Sequence, residues 1–302
     1  MQFIVFAITY PIIWILSRLP MKILYLISDF FYVLIYYVLG YRKQVVLDNL
    51  KLAFPEKSEI ENLAVRKDFF KHLMDLVVES IKAFTISEKE ILKRYSFVNP
   101  ELVNKYAKEG RSIAIVGAHQ ANWEWSVSFP KVLNINLYGA YQELKNKYYE
   151  KTVKDSRSKF GVTGFKNAKM VREMQQHFSN QQQGAYILLS DQSPQPHKAQ
   201  YWRKFFDINV PVHTGTEMLS KRFNLVVINY VAKKVKRGYY KAEFQLITDA
   251  PKDLDNYKIS DLYTELTEKN IREQPAFYLW SHKRFKHSHK FKEWQALNLS
   301  KK

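Results

Sequence analysis

The chain has 302 residues, and because 46% of them are hydrophobic and 15% aromatic, it can bury a sizeable core within one domain and is not expected to be disordered. Its 47 Lys and Arg residues outnumber its 29 Asp and Glu residues and give a formal net charge of +18. This charge predicts an anionic partner such as nucleic acid, anionic lipid or an acidic carrier protein. The lack of cysteine excludes disulfides, a thiol nucleophile and cysteine-based metal centres.

Two apolar runs, Phe3–Leu16 and Phe30–Leu39, dominate the first forty residues, and Arg18, Lys22 and Asp29 lie between them. A helix that spans a bilayer needs about 20 predominantly apolar residues. These runs are shorter, so we expect a membrane anchor that lies in the interface or inserts shallowly. No basic segment precedes the first run and no small-residue cleavage site follows it, which favours a retained anchor over a removed signal peptide. A pair of buried core helices is the alternative interpretation.

The segment after the apolar runs has helical periodicity. Between Tyr41 and Phe54 the apolar residues recur close to helical spacing, and Pro55 ends the pattern. Ser58 is followed three residues later by Glu61, which is the signature of a capping box. The sequence therefore predicts a second, long amphipathic helix up to Ala83.

From Arg111 onward, short β-rich runs alternate with helical patterns. This alternation predicts a single α/β domain with a central mixed β-sheet flanked by helices, preceded by the apolar helical membrane-anchoring region. The predicted strands are Ser112–Gly117, Ile135–Ala140, Ala185–Ser190, Leu225–Val231 and Tyr240–Ile247. The predicted helices between and after them are Asn122–Phe129, Asn146–Lys159, Ala168–Phe178, His213–Arg222 and Ile259–Arg272.

The segment Ile113–Trp125 carries the sharpest local pattern, because its apolar run ends at Gly117 and a histidine, His119, follows at once. Glu124 lies five residues after His119, and on one continuous helix the two side chains would be about 140° apart and could not cooperate. If His119 instead lies in a loop and Asn122 caps the next helix, Glu124 falls in the first turn and can reach the imidazole. A carboxylate beside an imidazole raises its basicity, so the pattern predicts a general base. The alternative is a polar residue that fills a strand–loop junction.

The segment His282–Lys292 combines basic residues, histidines and aromatic residues. We interpret it as a solvated basic face near lipid headgroups or an acidic carrier. Metal binding is a weaker alternative, because the segment lacks carboxylates and a regular ligand spacing. Basic and aromatic side chains also suit single-stranded nucleic acid, but the two N-terminal apolar runs favour a membrane.

Six segments, in order along nearly the whole chain, resemble the bacterial lipid A biosynthesis acyltransferases of the lysophospholipid acyltransferase superfamily. GAHQANWEW at 117–125 is similar to the His-x4-Asp/Glu block of that family. Glu79 follows the segment at 41–56 at an interval similar to that in the family. The other five segments are YRKQVVLDNLKLAFPE at 41–56, YQELKNKYYEKTVKDSRSKFG at 141–161, LLSDQSP at 188–194, FF at 205–206 and EQPAFYLWSHKRFK at 273–286.

The resemblance implies an O-acyltransferase that works without a covalent intermediate, a metal or a cofactor. In such an enzyme His119 removes the proton of an acceptor hydroxyl, and Glu124 orients and charges that histidine. Arg157 or a backbone N–H group would stabilise the oxyanion. Asp191 and Gln192 would organise the substrate site, although a polar turn after a buried strand is an equal alternative for Gln192.

The resemblance also implies partners and a location. The donor would be a thioester of acyl carrier protein or CoA, and the acceptor a hydroxyl of a lipid A precursor at the cytoplasmic face of the bacterial inner membrane, with no role for nucleic acid. Residues 1–40 would form the membrane-anchoring helical region, and residues 41–302 the acyltransferase-like catalytic domain.

Two alternatives to this function stay open. Gln142 stands where members of the family usually carry Arg, and an amide cannot hold a phosphate as a guanidinium fork does. The acceptor could therefore be another lipid, such as an amino-acid lipid. The second alternative is a non-catalytic basic protein that binds membranes or nucleic acid.

Overall fold

The computed structural model describes residues 2–299 of the chain. The α-helices are α1 Gln2–Arg18, α2 Met21–Val33, α3 Lys43–Ala53, α4 Glu59–Ala83, α5 Glu88–Arg94, α6 Pro100–Lys108, α7 Lys147–Ser158, α8 Met170–Ser179, α9 Gly215–Phe223, α10 Lys258–Glu273 and α11 Phe291–Leu299. The strands are β1 Tyr95–Val98, β2 Ile113–Gly117, β3 Leu137–Tyr141, β4 Val162–Lys166, β5 Ala185–Leu189, β6 Tyr201–Phe205, β7 Ile208–Val212, β8 Val226–Lys236 and β9 Tyr239–Thr248.

The N-terminal helices leave many large apolar side chains exposed. Helix α2 continues as a π-helix over Leu34–Leu39, and together they form the one helix within residues 2–299 that is long and apolar enough to cross a membrane. This criterion concerns length and composition alone, and some core helices and signal sequences also meet it. Only 22% of the apolar stretch is buried, which argues against the alternative of a buried core helix.

Helix α4 begins where the capping-box signature predicts. The Ser58 side chain accepts a hydrogen bond from the Glu61 backbone N–H, and the Glu61 carboxylate accepts one from the Ser58 backbone N–H. Both halves of the predicted box are therefore confirmed. The helix then runs for 25 residues and packs against α1, α2 and α3, so it lies between the N-terminal helices and the rest of the fold.

A seven-stranded mixed sheet, in the order β1-β9-β8-β2-β5-β3-β4, forms the centre of the molecule. Strands β8, β2, β5, β3 and β4 pair parallel with one another in this order. Strand β9 pairs antiparallel with β8 and parallel with β1. Strands β6 and β7 form a separate antiparallel pair. This architecture confirms the predicted α/β fold with a mixed sheet.

Helices cover both faces of the sheet, as the alternation along β2 shows. Ile113 and Ile115 belong to a core cluster that includes Phe129 and parts of α4 and α5. Ala114 and Val116 point the other way, into a cluster with residues of α8, α9 and α10. Because successive side chains of a strand face opposite sides, a strand that is apolar at every position, as β2 is, must be buried on both faces.

The structure differs from the predicted elements mainly at the edges of the sheet. Strands β1 and β4, which form the two edges, and the β6–β7 pair have no counterpart among the predicted strands. The predicted helix Asn122–Phe129 is a 3-10 helix, Trp123–Lys131, with Pro130 inside it. The five predicted strands are all present, with ends shifted by a few residues, and β8 extends to Lys236.

Candidate functional site

Two neighbouring parallel strands end side by side and bring His119 and Asp191 together. Gly117 at the end of β2 pairs with Leu189 at the end of β5. His119 and Asp191 each follow two residues later. Because parallel strands end at the same edge of a sheet, residues just beyond those ends converge there, which is where open α/β sheets bind ligands.

Asp191 holds the imidazole of His119 by two contacts. The Asp191 carboxylate lies 2.7 Å from Nδ1 of His119 and also accepts a hydrogen bond of 3.2 Å from the His119 backbone N–H. Nδ1 therefore carries the proton, because the buried carboxylate accepts it. Within residues 2–299 no group hydrogen bonds to Nε2 of His119, so the lone pair of Nε2 is free to accept a proton from a substrate.

The contact between His119 and Asp191 shifts the pKa of both groups. Burial lowers the pKa of His119, but the charge and hydrogen bond of Asp191 outweigh it, with a smaller contribution from the charge of Glu124, and the pKa is raised from 6.5. Burial raises the pKa of Asp191, but the interactions with His119 prevail and hold it below 3.8. Asp191 is thus ionised at neutral pH, and His119 is a stronger base than a free imidazole.

Gly117, at the end of β2, lies too close to an aromatic ring for any other residue to replace it. A Cβ at this position would overlap the ring of the buried Tyr230. The carbonyl of Gly117 accepts a hydrogen bond of 2.7 Å from the hydroxyl of Tyr263. The glycine two residues before His119 is therefore required, because the ring of Tyr230 leaves no space for a side chain there.

The residues after His119 start a new helix, as predicted. The Asn122 side chain accepts a hydrogen bond from the Trp125 backbone N–H, so Asn122 is the N-cap and Glu124 lies in the first turn. The ring of Trp123 packs against the imidazole of His119 at a centroid distance of 5.3 Å and an angle of 68°. Asn122 thus fixes the start of the helix, and Trp123 covers one side of the imidazole.

The structure differs from the prediction in the partner of Glu124. Both carboxylate oxygens of Glu124 accept hydrogen bonds of 3.1 Å from Nη2 of Arg157. The carboxylate that orients His119 is Asp191, and Glu124 acts on the imidazole only through its charge. Arg157, expected as a donor to an oxyanion, is paired with Glu124, and Asp191, expected to organise the substrate site, is buried against His119.

A cavity of about 630 Å³ opens beside His119, within the range of about 300–1,000 Å³ that is usual for ligand sites. Helix α7, the 3-10 helix, the ends of β3 and β5 and the start of α9 enclose it. Its apolar wall includes Trp123, Val127, Leu144, Val153, Val162, Met170, Ile187, Leu188 and Leu189. Its polar wall includes Glu124, Gln142, Glu150, Lys154, Arg157, Gln192 and His213.

The first residues of the basic segment His282–Lys292 support the site from behind, unlike the solvated face that we expected. Nε2 of His282 accepts a hydrogen bond from the Ser193 backbone N–H at 3.2 Å. Arg284 is buried, and its Nη1 donates to Oγ of Ser193 at 2.9 Å. Burial, with the nearby charge of Arg284, lowers the pKa of His282 to about 4, so His282 is neutral and can accept. The exposed basic residues of the segment are Lys283, Lys286, His289, Lys290 and Lys292.

No group of three or more His, Asp or Glu side chains in the described part of the chain is arranged to hold a metal ion. The chemical groups at the site are a basic imidazole, a buried carboxylate, a carboxylate–guanidinium pair and a cavity with an apolar wall. This set fits a transferase that activates a hydroxyl group next to a substrate with a long apolar chain.

The comparison with known proteins defines the family. The family model described as bacterial lipid A biosynthesis acyltransferase matches residues 2–287. The chain belongs to this family and is an acyltransferase, which confirms the resemblance seen in its six sequence segments.

Two relatives match over most of their length. The chain is 21% identical over 282 residues to a lipid A biosynthesis palmitoleoyltransferase of Escherichia coli (strain K12) and to a lipid A biosynthesis acyltransferase of Shigella flexneri. In both cases the alignment covers 91% of this chain and 89% of the relative, so the similarity extends over nearly the whole of both sequences.

Proposed function

We propose that this protein transfers a fatty acyl chain from a thioester of acyl carrier protein or CoA to a hydroxyl group of a lipid A precursor. The observation that carries the proposal is the imidazole of His119, whose Nδ1 is bound to the buried Asp191 while the ring lines an apolar cavity. The two relatives are named for lipid A biosynthesis, which supports this choice of acceptor.

In the proposed reaction His119 is the general base. Nε2 takes the proton of the acceptor hydroxyl as its oxygen attacks the thioester carbonyl carbon. The tetrahedral intermediate then collapses, the carbon–sulfur bond breaks, and the thiolate recovers the proton from the imidazolium. Asp191 stabilises the positive charge that His119 carries between these two steps, so no covalent acyl-enzyme is required.

Arg157 and Gln192 are the proposed contacts for the reacting groups. Arg157 lies on the cavity wall, and Glu124 fixes its guanidinium. A guanidinium held in this way has further N–H groups that can donate to the oxyanion of the intermediate. Gln192 follows Asp191 directly and lines the same cavity, so its amide can bind a polar group of either substrate.

Gln142 favours a second candidate acceptor. It lines the cavity, at a position where the family usually carries Arg, and its amide is neutral. A phosphate group would gain less there than from a guanidinium. The same chemistry on a lipid with a different headgroup, such as an amino-acid lipid, is therefore the alternative function.

We further propose that the protein works at the cytoplasmic face of the bacterial inner membrane. Helices α1 and α2 expose large apolar side chains, among them Phe3, Ile8, Ile15, Leu26 and Phe30, which an interfacial or inserted anchor would bury in lipid. In this proposal residues 1–40 are the anchor and residues 41–302 the catalytic domain. The net charge of +18 suits an acidic carrier protein as donor.

Transfer of a radiolabelled acyl chain from acyl carrier protein to a lipid A precursor, in membranes that contain the wild-type protein or His119→Ala, tests the proposal. We expect transfer by the wild type alone. Transfer by the wild type to an amino-acid lipid, with none to the lipid A precursor, would select the alternative acceptor. Equal transfer by both proteins would contradict the role of His119.

A further inference from the structure

The turn directly after His119 has an unfavourable backbone conformation. Ala121 has a φ of 49°, in the left-handed region that side chains other than glycine rarely adopt. Ala121 is fully buried, and its N–H donates to the carbonyl of Phe277 at 2.7 Å. Such a conformation persists only where the surrounding structure enforces it, so the position of the imidazole depends on the groups that hold this turn.

His72 of α4 is one of these groups. One ring nitrogen of His72, Nδ1, lies 3.3 Å from Nζ of Lys234, and the other, Nε2, lies 3.2 Å from the carbonyl oxygen of Ala121. Because an ammonium group can only donate, Nδ1 must accept, so Nε2 carries the proton and donates to Ala121. Burial, with the charge of Lys234, lowers the pKa of His72 well below 6.5, so His72 stays neutral with its one ring proton on Nε2.

Glu79 lies two helical turns further along the same helix and holds the next residue of the turn. Its carboxylate accepts a hydrogen bond of 2.7 Å from Nδ2 of Asn122 and further bonds from the hydroxyls of Tyr25 and Tyr240. Its backbone carbonyl accepts one from the Trp125 indole at 3.4 Å. Glu79 is fully buried, so a lost partner could not be replaced by bulk water.

We propose that His72 and Glu79 are positioning residues, which act on the reaction through the turn at Ala121 and Asn122 and thereby fix the imidazole of His119. This inference rests on the proposed role of His119 as the general base. Neither residue lines the cavity. Their effect on rate comes from geometry, because a displacement of about 1 Å at a catalytic group can cost about 10²-fold in rate.

Substitutions at both positions test the proposal by two readouts, transfer kinetics and hydrogen exchange of the peptide 118–125. For His72→Leu and Glu79→Leu we expect kcat to fall at least about tenfold, KM to stay within about twofold, and the peptide to exchange faster. His72→Gln and Glu79→Gln keep a donor and an acceptor, respectively, and should recover most of kcat.

A third substitution acts from the turn itself and avoids a change in the core of α4. Asn122→Ser keeps a side chain that can cap the following helix but removes the amide that donates to Glu79. We expect it to lower kcat and to speed exchange of the peptide in the same way as Glu79→Leu. It keeps the proposal testable if either leucine variant fails to fold.

Lys82 offers a matched control in the same helix. It is buried, and its Nζ donates to the carbonyls of Ser17 and Leu19 at 3.2 and 3.0 Å, away from the turn. Lys82→Met should lower the melting temperature but leave both kcat per folded molecule and exchange of the peptide unchanged. A comparable loss of kcat in Lys82→Met would show general destabilisation and overturn the proposal.

The proposal would also be overturned if folded His72→Leu and Glu79→Leu kept the wild-type kcat and a protected peptide. His119→Ala, measured in parallel, separates this result from failure of the proposed function. If wild type and His119→Ala transfer equally, the role of His119 is wrong, and the exchange of the peptide in the α4 variants still decides whether His72 and Glu79 hold the turn.

Discussion

The two carboxylates near His119 differ in what surrounds them. The side chain of Asp191 is 1% exposed and binds His119 at the ends of two paired strands. The side chain of Glu124 is 29% exposed and binds Arg157, which comes from a helix on the cavity wall. The ends of two buried strands thus hold the carboxylate beside His119, whereas Glu124 and Arg157 lie on the more exposed wall of the cavity.

The electrostatic effect of the two carboxylates follows the same division. Of the interactions that raise the pKa of His119, the charge and hydrogen bond of Asp191 are the largest and the charge of Glu124 is the smallest. A charge in partial contact with water is screened more strongly than a buried one. Substitutions at Asp191 should therefore cost more activity than substitutions at Glu124, and those at His119 should cost most.

Removal of the base should have the largest effect. His119→Ala leaves the cavity and the Glu124–Arg157 pair intact but removes the only group that we assign to proton transfer. We expect kcat to fall by between about 10²- and 10⁴-fold, the usual contribution of a general base. Single-turnover transfer of a labelled acyl chain measures this, and a loss of less than about tenfold would contradict the assignment.

Removal of the charge behind the base should come next. In Asp191→Asn the amide oxygen can still accept from Nδ1, but the negative charge that stabilises the imidazolium is gone. We expect kcat to fall on the order of 10²-fold with little change in KM. Asp249→Asn is a control, because Asp249 also accepts a hydrogen bond, from Tyr106, but at another place. If Asp191→Asn were as active as Asp249→Asn, the negative charge of Asp191 would not contribute to the function of His119.

The pair on the cavity wall should have a smaller effect that is shared between its members. Glu124→Gln and Arg157→Gln should each lower kcat/KM by about tenfold, since each loosens the guanidinium that we assign to the oxyanion. The double substitution should cost less than the product of the two single losses, because both remove the same interaction. If the loss of kcat/KM in the double variant equalled the product of the two single losses, a shared role would be contradicted.

A prediction about stability, not activity, separates Glu79 from Asp191 and Glu124. Burial raises the pKa of Glu79 to about 7. A raised pKa stabilises the folded state below the ordinary pKa of 4.5, and this contribution is lost as the pH rises through about 7.

Glu79→Gln should abolish this dependence, because an amide does not titrate. Between pH 5 and 8 the free energy of unfolding of the wild type should fall by about 3 kcal/mol relative to the variant. Denaturant titrations in detergent at both pH values measure this. The same pH dependence in the two proteins would show that Glu79 does not titrate in this range.

The fold could be predicted where burial leaves a clear pattern in the sequence. The five predicted strands are long enough or apolar enough to stand out, and β2 is apolar at every position up to Gly117. The edge strands β1 and β4 have four and five residues, and of these only Tyr95, Val162 and Phe165 are buried. Short, half-exposed runs of this kind are hard to distinguish from loops.

The site could be predicted only in part, for a reason of topology. Glycine at a strand end and the Asn122 cap are local features, so His119 and the start of its helix could be located. The partner of His119 depends on which strand lies beside β2. Strand β5 has this place, although β3 and β4 come before it in the sequence and lie further out in the sheet. Arg157 likewise reaches Glu124 through the packing of α7 against β4, which spacing along the chain does not reveal.

The pH dependence of kcat/KM for the wild type and Asp191→Asn tests most directly whether Asp191 supports His119 as the base. Transfer needs neutral His119, so the acid limb reports its pKa. We predict that this limb lies above pH 6.5 in the wild type and falls below it in Asp191→Asn, where burial still lowers the pKa of the imidazole and only the smaller effect of the Glu124 charge raises it. Glu79→Gln, which leaves Asp191 in place, should keep the wild-type limb. An acid limb at the same pH in wild type and Asp191→Asn would contradict the account.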